Sequence, residues 1–127
     1  MVRNGTIMQI AFLETRDFSA VREIYFAGDG SFRHLQNFIA ENPERGAVIP
    51  GTNGLRKLRW PDPRRGKGKR GGLRLIYLYI PLARFVILLD VYDKNESDDL
   101  SPAEKKVLAN VANQIREKFL TERNLKI

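Results

Sequence analysis

The chain contains no cysteine and a single histidine, His34. The missing thiol excludes a disulfide scaffold, a thiolate metal site and a cysteine nucleophile. One histidine excludes a zinc site built from histidines and a ribonuclease centre built from a histidine pair. No apolar run approaches the ~18–20 residues of a membrane span, so no membrane partner is expected. The N-terminus lacks an apolar signal segment followed by a small-residue cleavage site, which reads as a cytoplasmic protein. The stretch from Gly66 to Gly72, Gly-Lys-Gly-Lys-Arg-Gly-Gly, lacks the Gly-x4-Gly-Lys-Ser/Thr spacing of a nucleotide phosphate loop. No cofactor and no metal are expected.

What is present is a core and a block of positive charge. The 127 residues are 43% apolar, enough for one domain spanning 1–127 with a buried interior. The formal charge is +7. Residues 51–80 carry nine basic side chains against one acid, Asp62, while the other 97 residues sum to −1. Such a block binds a polyanion or forms a solvated loop. Its mid-chain position, between two segments that read as strands, favours an anion-binding surface.

The pattern predicts a strand at Ile7–Leu13. A short helix follows, capped by Asp17 and carrying Phe18, Val21, Ile24 and Tyr25 on one face. Gly28-Asp29-Gly30 breaks it. Ser31 or Asp29 can cap a second helix with Phe32, Leu35, Phe38 and Ile39 at helical spacing, ended by Pro43 and Gly46. Leu55–Trp60 reads as a strand, Pro61–Gly72 as a loop, and Leu73–Ile80 and Phe85–Tyr92 as buried strands. Ser101-Pro102-Ala103-Glu104 combines a capping box with proline at the first helical position. Val107, Leu108, Val111, Ile115 and Phe119 form the stripe of the last helix. The order predicts an α+β fold: a small, mostly antiparallel sheet with two N-terminal helices on one face and one C-terminal helix. The other face is expected to be partly open.

Strand side chains alternate. Leu58 and Trp60 share one face with Arg56, and Lys57 and Arg59 share the other. Asp90, Tyr92 and Lys94 fall on one side of the last strand, and Arg74 opens the middle one. A cleft holding Lys57, Arg59, Arg74, Tyr92 and Lys94 is therefore expected. His34 reads as structural or solvent-exposed.

Three stretches carry a resemblance. They are Gly54-Leu55-Arg56-Lys57-Leu58-Arg59-Trp60, then Gly68-Lys69-Arg70-Gly71-Gly72-Leu73-Arg74-Leu75-Ile76-Tyr77, then Tyr92-Asp93-Lys94-Asn95-Glu96. In that order and at those separations they resemble the RelE/HigB superfamily of bacterial toxins. Phe12-Leu13-Glu14-Thr15 and Leu100-Ser101 fit a phage- and plasmid-borne branch. The resemblance covers roughly residues 9–117 and implies the toxin of a type II toxin–antitoxin system. Such a protein binds the ribosome, cuts mRNA there as an mRNA interferase, and is neutralised by a cognate antitoxin. It also implies a RelE-like sheet flanked by helices. By motif, Lys57 matches the lysine of the Lys-Leu-Arg strand, Arg74 the arginine of the Arg-Leu-aliphatic-Tyr strand, and Lys94 the basic C-terminal segment. The arginine and tyrosine expected after that lysine are replaced here by Asn95 and Glu96, so Tyr92 is the candidate aromatic.

Metal-independent RNA cleavage directs a 2′-hydroxyl at its neighbouring phosphate. It needs a base, cations for the growing phosphate charge and an acid for the leaving oxygen. A lysine serves as base once neighbouring cations disfavour its charged form. Lys57, two residues from Arg59, is the first choice. Arg59 and Arg74 suit the phosphate oxygens, and Tyr92 can stack on a base or donate a proton. Arg56, Arg64, Arg65, Lys67, Lys69 and Arg70 read as RNA contacts. The alternatives are a non-catalytic nucleic-acid- or ribosome-binding module of phage or plasmid origin, and a phage structural protein that docks on DNA. The absence of an RNP pattern or a recognition helix weakens both.

Overall fold

The computed structural model describes residues 9–64, 72–93 and 100–122. The Arg65, Lys67, Lys69, Arg70 and Lys94 expectations therefore lie outside the described residues. The elements are β1 (Ala11–Glu14), α1 (Arg16–Tyr25), α2 (Asp29–Glu41), β2 (Ala47–Val48), β3 (Arg56–Trp60), β4 (Leu73–Ile80), β5 (Phe85–Asp93) and α3 (Pro102–Glu122). The five strands form one sheet in the order β1-β5-β4-β3-β2, an α+β arrangement. Only β1 pairs in parallel, with β5; the remaining pairs are antiparallel. The expected first strand begins at Ala11 and runs on to Glu14, and β2 is a two-residue edge that the pattern did not signal. No helix among the described residues is long and apolar enough to cross a membrane.

One face of the sheet is built as expected. Phe18, Tyr25, Phe26, Phe32, Leu35 and Ile39 of the α1–α2 layer pack on Leu58, Trp60, Leu73, Leu75, Tyr77, Val86, Leu88 and Val91. Ile24, placed on that stripe by spacing, is instead 56% exposed. The opposite face is not open. Helix α3 covers it, seating Ala112 and Leu120 against Ile76, Leu78, Ile80, Ile87 and Leu89. The Phe85 and Phe119 rings meet edge-on at 4.9 Å. The eight-residue β4, apolar apart from Arg74, presents Ile76, Leu78 and Ile80 on this face, and leaving them wet would forfeit about 1.5–3 kcal/mol apiece. That demand brings α3 down. Val107 lies off the contact and is 61% exposed.

The helix starts differ in detail from the expectation. Thr15, not Asp17, caps α1: its hydroxyl accepts from the Phe18 N–H at 3.1 Å and donates to the Leu89 carbonyl at 2.9 Å. Asp17 sits in the first turn, where its charge still suits the helix dipole. Gly28, not Ser31 or Asp29, precedes α2, with φ +92°. A left-handed backbone at that position suits glycine. The capping box at α3 forms as expected: Glu104 accepts from the Ser101 N–H at 2.8 Å, and the Ser101 hydroxyl accepts from the Glu104 N–H at 3.1 Å.

A β-bulge in β5 decides which side chains face which helix. Ile76 pairs with Asp90 but Tyr77 pairs with Leu88, so Leu89 is the extra residue. The parity of the strand flips there. Leu88 and Val91 consequently lie on the same α1–α2 face, while Asp90 and Tyr92 lie toward α3. An unpaired ladder residue leaves a carbonyl to satisfy, and the Thr15 hydroxyl bonds that of Leu89.

Candidate nucleic-acid interface

Strands β3, β4 and β5 bring two cross-sheet rows together on the α3 side. Register aligns Lys57, Ile76 and Asp90 in one row and Arg59, Arg74 and Tyr92 in the next. Leu100, at the entry to α3, packs into the cluster on this face. The arginine row lies one step further along the sheet. Four of the five residues expected in a cleft thus share one face.

The electrostatics of that row are unusual. Directly opposed residues on antiparallel strands have Cβ atoms about 4.5–5.5 Å apart, and like charges there repel. Arg59 and Arg74 are such a pair. Arg74 is only 6% exposed, and its Nη1 donates to the Leu73 carbonyl at a long 3.3 Å. Among the described residues neither arginine forms an ion pair with a carboxylate. The buried Arg74 guanidinium normally needs a counter-charge, and the exposed Arg59 stands opposite it in register, so the two can offer a fork to an oxyanion.

Lys57 opens onto a cavity of about 420 Å3 walled by Val48, Ile49, Pro50, Leu100 and Lys105. Lys105 was not expected from sequence. A signal existed: a lysine in the first turn of a helix works against the helix dipole. Asp90 lines a neighbouring cavity of about 360 Å3 with Leu100, Glu104 and Leu108. Burial pushes its carboxyl above the ordinary range, the Val91 N–H partly offsets this, and Asp17 adds to the rise.

Two expected RNA contacts have structural occupations. The Arg56 guanidinium lies on the α1–α2 side and donates to the Glu44 and Gly46 carbonyls at 3.0 and 2.8 Å. Tyr77 secures the same turn: its hydroxyl donates to the Pro43 carbonyl at 2.7 Å and accepts from the Gly46 N–H at 2.9 Å. Burial raises the Tyr77 pKa, which keeps the phenol protonated. A Cβ on Gly46 would stand 3.0 Å from the Tyr77 ring and 3.1 Å from the Lys57 carbonyl, so this approach needs glycine. Arg64 grips Asp62, which is 2% exposed, with bonds of 2.8–3.2 Å. It also reaches Asp93 at 3.5 Å and lies over the Tyr25 ring. Arg56 thus braces the turn between α2 and β2, and Arg64 joins the stretch after β3 to the end of β5. Among the described residues no group of three His, Cys, Asp or Glu side chains could hold a metal ion.

No model of a known protein family matches the chain.

Proposed function

We propose that this chain is a ribosome-dependent mRNA endoribonuclease, a translation-inhibiting toxin of the RelE/HigB type, held in check in the cytoplasm by a cognate antitoxin. The observation that carries the reading is the opposed pair Arg59 and Arg74, a cation pair with no carboxylate partner among the described residues, beside Lys57 and Tyr92. The motif resemblance supplies the reaction class.

In this mechanism the 2′-hydroxyl of one nucleotide attacks the adjacent phosphorus. A bond to O2′ forms and the bond to O5′ breaks, leaving a 2′,3′-cyclic phosphate and a 5′-hydroxyl. Lys57 takes the 2′-hydroxyl proton. Arg59 and Arg74 hold the non-bridging oxygens, whose charge grows in the transition state. Lys94 returns a proton to O5′, because the Tyr92 hydroxyl expected as an alternative donor is buried. No cofactor takes part. The Lys and Arg side chains beyond Arg64 add phosphate contacts to ribosomal RNA.

Primer extension on a translated message, with and without ribosomes, tests the reading. Wild type is expected to give cleavage stops only when ribosomes translate the message, and Lys57→Ala and Arg74→Ala to lose them. Ribosome binding with no cleavage and no growth arrest would favour the non-catalytic module instead. Co-expression of the adjacent gene product is expected to restore growth and copurify.

A further inference from the structure

Lys105 has no part in the mechanism above, yet its placement is specific. It shares with Lys57 a cavity of about 420 Å3, whose apolar walls include Val48, Ile49, Pro50 and Leu100. Both lysines are half-buried, whereas the next residue along the helix, Lys106, is exposed. Among the described residues neither Lys57 nor Lys105 forms an ion pair. The Glu104 carboxylate, one residue away, accepts from the Ser101 N–H instead. Asp90 is separated from Lys57 by Ile76 in the cross-sheet row. Two cations in one apolar-walled cavity repel each other, and an anion between them removes that cost.

The cavity continues the arginine row in one direction. Ala47 pairs with Lys57, Val48 with Arg56, and the Ile49 N–H donates to the Leu55 carbonyl, so the walls run from Lys57 toward the start of β3, away from Arg59. The Lys105 stem lies at the far end of that run, with its Cδ 3.9 Å from where a Cβ on Gly51 would stand. Lys57 thus stands between the arginine pair on one side and Lys105 on the other.

We propose that Lys105 holds the RNA phosphate on the 5′ side of the nucleotide whose 2′-hydroxyl attacks. The proposal rests on the function given above and adds a second phosphate position to it. In that mechanism Lys57 meets the 2′-hydroxyl, and Arg59 and Arg74 meet the phosphate 3′ to it. The same nucleotide carries its other phosphate across the ribose, which is the side of Lys57 where Lys105 stands. Two residues along a strand cover about 6.6 Å, a span that one extended nucleotide bridges. Lysine suits this position because it binds phosphate as a point charge, without the two-pronged geometry of a guanidinium. The apolar walls suit the carbon face of the ribose. A carboxylate of a protein partner also neutralises two ammonium groups, but it has no continuation toward Arg59 and Arg74. Lys105 makes and breaks no covalent bond; it fixes the strand so that the 2′-hydroxyl meets Lys57.

The test is single-turnover cleavage of a ribosome-bound message over a range of protein concentration. Lys105→Gln is expected to raise the half-saturating concentration about five-fold or more at low salt, to keep most of the maximal rate, and to flatten the log–log salt slope by roughly 0.7. Lys105→Arg keeps the charge and is expected to restore affinity. Lys106→Gln, on the exposed side, is expected to match wild type. A neutral methylphosphonate at the linkage one nucleotide 5′ to the cut removes the same contact from the RNA. Wild type is expected to lose affinity for that message, and Lys105→Gln to lose none further. Equal affinity of Lys105→Gln and wild type on the natural message overturns the proposal and leaves the function reading standing. So does a Lys105→Gln defect that persists in full on the methylphosphonate message. A Lys105→Gln variant that cleaves normally but no longer copurifies with the antitoxin assigns the cavity to a protein carboxylate and also overturns the proposal. If wild type cleaves no translated message, the function reading itself fails and this assignment fails with it.

Discussion

Arg59 and Arg74 stand against each other at a position where opposite charges would be more stable. Relieving that opposition should therefore help the fold while harming the chemistry. Arg59→Ala is expected to leave thermal stability unchanged or raise it by about 0.2–1 kcal/mol, and to abolish most cleavage; a clear loss of stability would contradict the repulsion. Asp90 makes a second residue-level case. Its carboxyl titrates above the usual range because burial penalises the charge. The folded state then binds the proton more tightly than the unfolded chain does. The associated stability is fully present below the ordinary aspartate pKa and lost as pH rises through the raised value. Asp90→Asn removes the ionisation, so the variant should melt higher than wild type at neutral pH and show no advantage in acid. Paired melts at acid and neutral pH decide it, and an equal shift at both would point to packing instead.

Among the elements, the junction of β1, α1 and β5 depends on one hydroxyl. Thr15 caps α1 and serves the carbonyl that the bulge leaves over. Thr15→Val keeps the shape and loses both bonds, with an expected cost of about 1–3 kcal/mol, whereas Thr15→Ser should keep most of the stability. Denaturant midpoints of the two variants separate the hydroxyl from the methyl group. Arg64 does comparable duty at the other end, joining Asp62, two residues past β3, to Asp93 at the end of β5 while lying over the Tyr25 ring. Arg64→Ala should destabilise by about 1–2 kcal/mol; an unaffected fold with weakened ribosome binding would return Arg64 to the RNA contacts. These elements also show what sequence makes legible. Alternation alone puts Lys57 and Arg59 opposite Leu58 and Trp60, because a short amphipathic strand has only two faces. The α3 start is legible because its capping box is local. The two-residue β2 carries no period to read. The parallel pairing of β1 with β5 joins residues distant in sequence, and no local pattern encodes it. The covering of the far face by α3 follows from apolar demand on both sides of β4, a demand visible in Leu73–Ile80 but not assignable to a particular helix. Lys105 escaped notice because its place beside Lys57 depends on that docking.

For the molecule as a whole, charge segregation governs the salt dependence expected of the proposed RNA binding. The +7 excess resides in the segment from Gly51 to Ile80, so binding should follow salt steeply. Neutralising Lys67, Lys69 and Arg70 together is expected to flatten the log–log salt slope of ribosome binding by about two units while cleavage at saturating ribosome largely survives. A salt series beside single-turnover cleavage checks this; an unchanged slope with lost cleavage would move those residues into the chemistry. Connectivity has a further consequence, for timing. Thr15 reaches a carbonyl 74 positions away, and among the described residues β1 has no strand neighbour other than β5. At roughly 5–20 residues per second, a translating ribosome needs about 4–15 s to travel that stretch. Through that interval the nascent chain displays β1 unpaired, and the arginine row lacks Tyr92. The sheet thus closes late, and on the proposed function the chain stays inactive until β5 pairs with β1. Protease probing of stalled nascent chains should show β1 becoming protected only once β5 is free to pair.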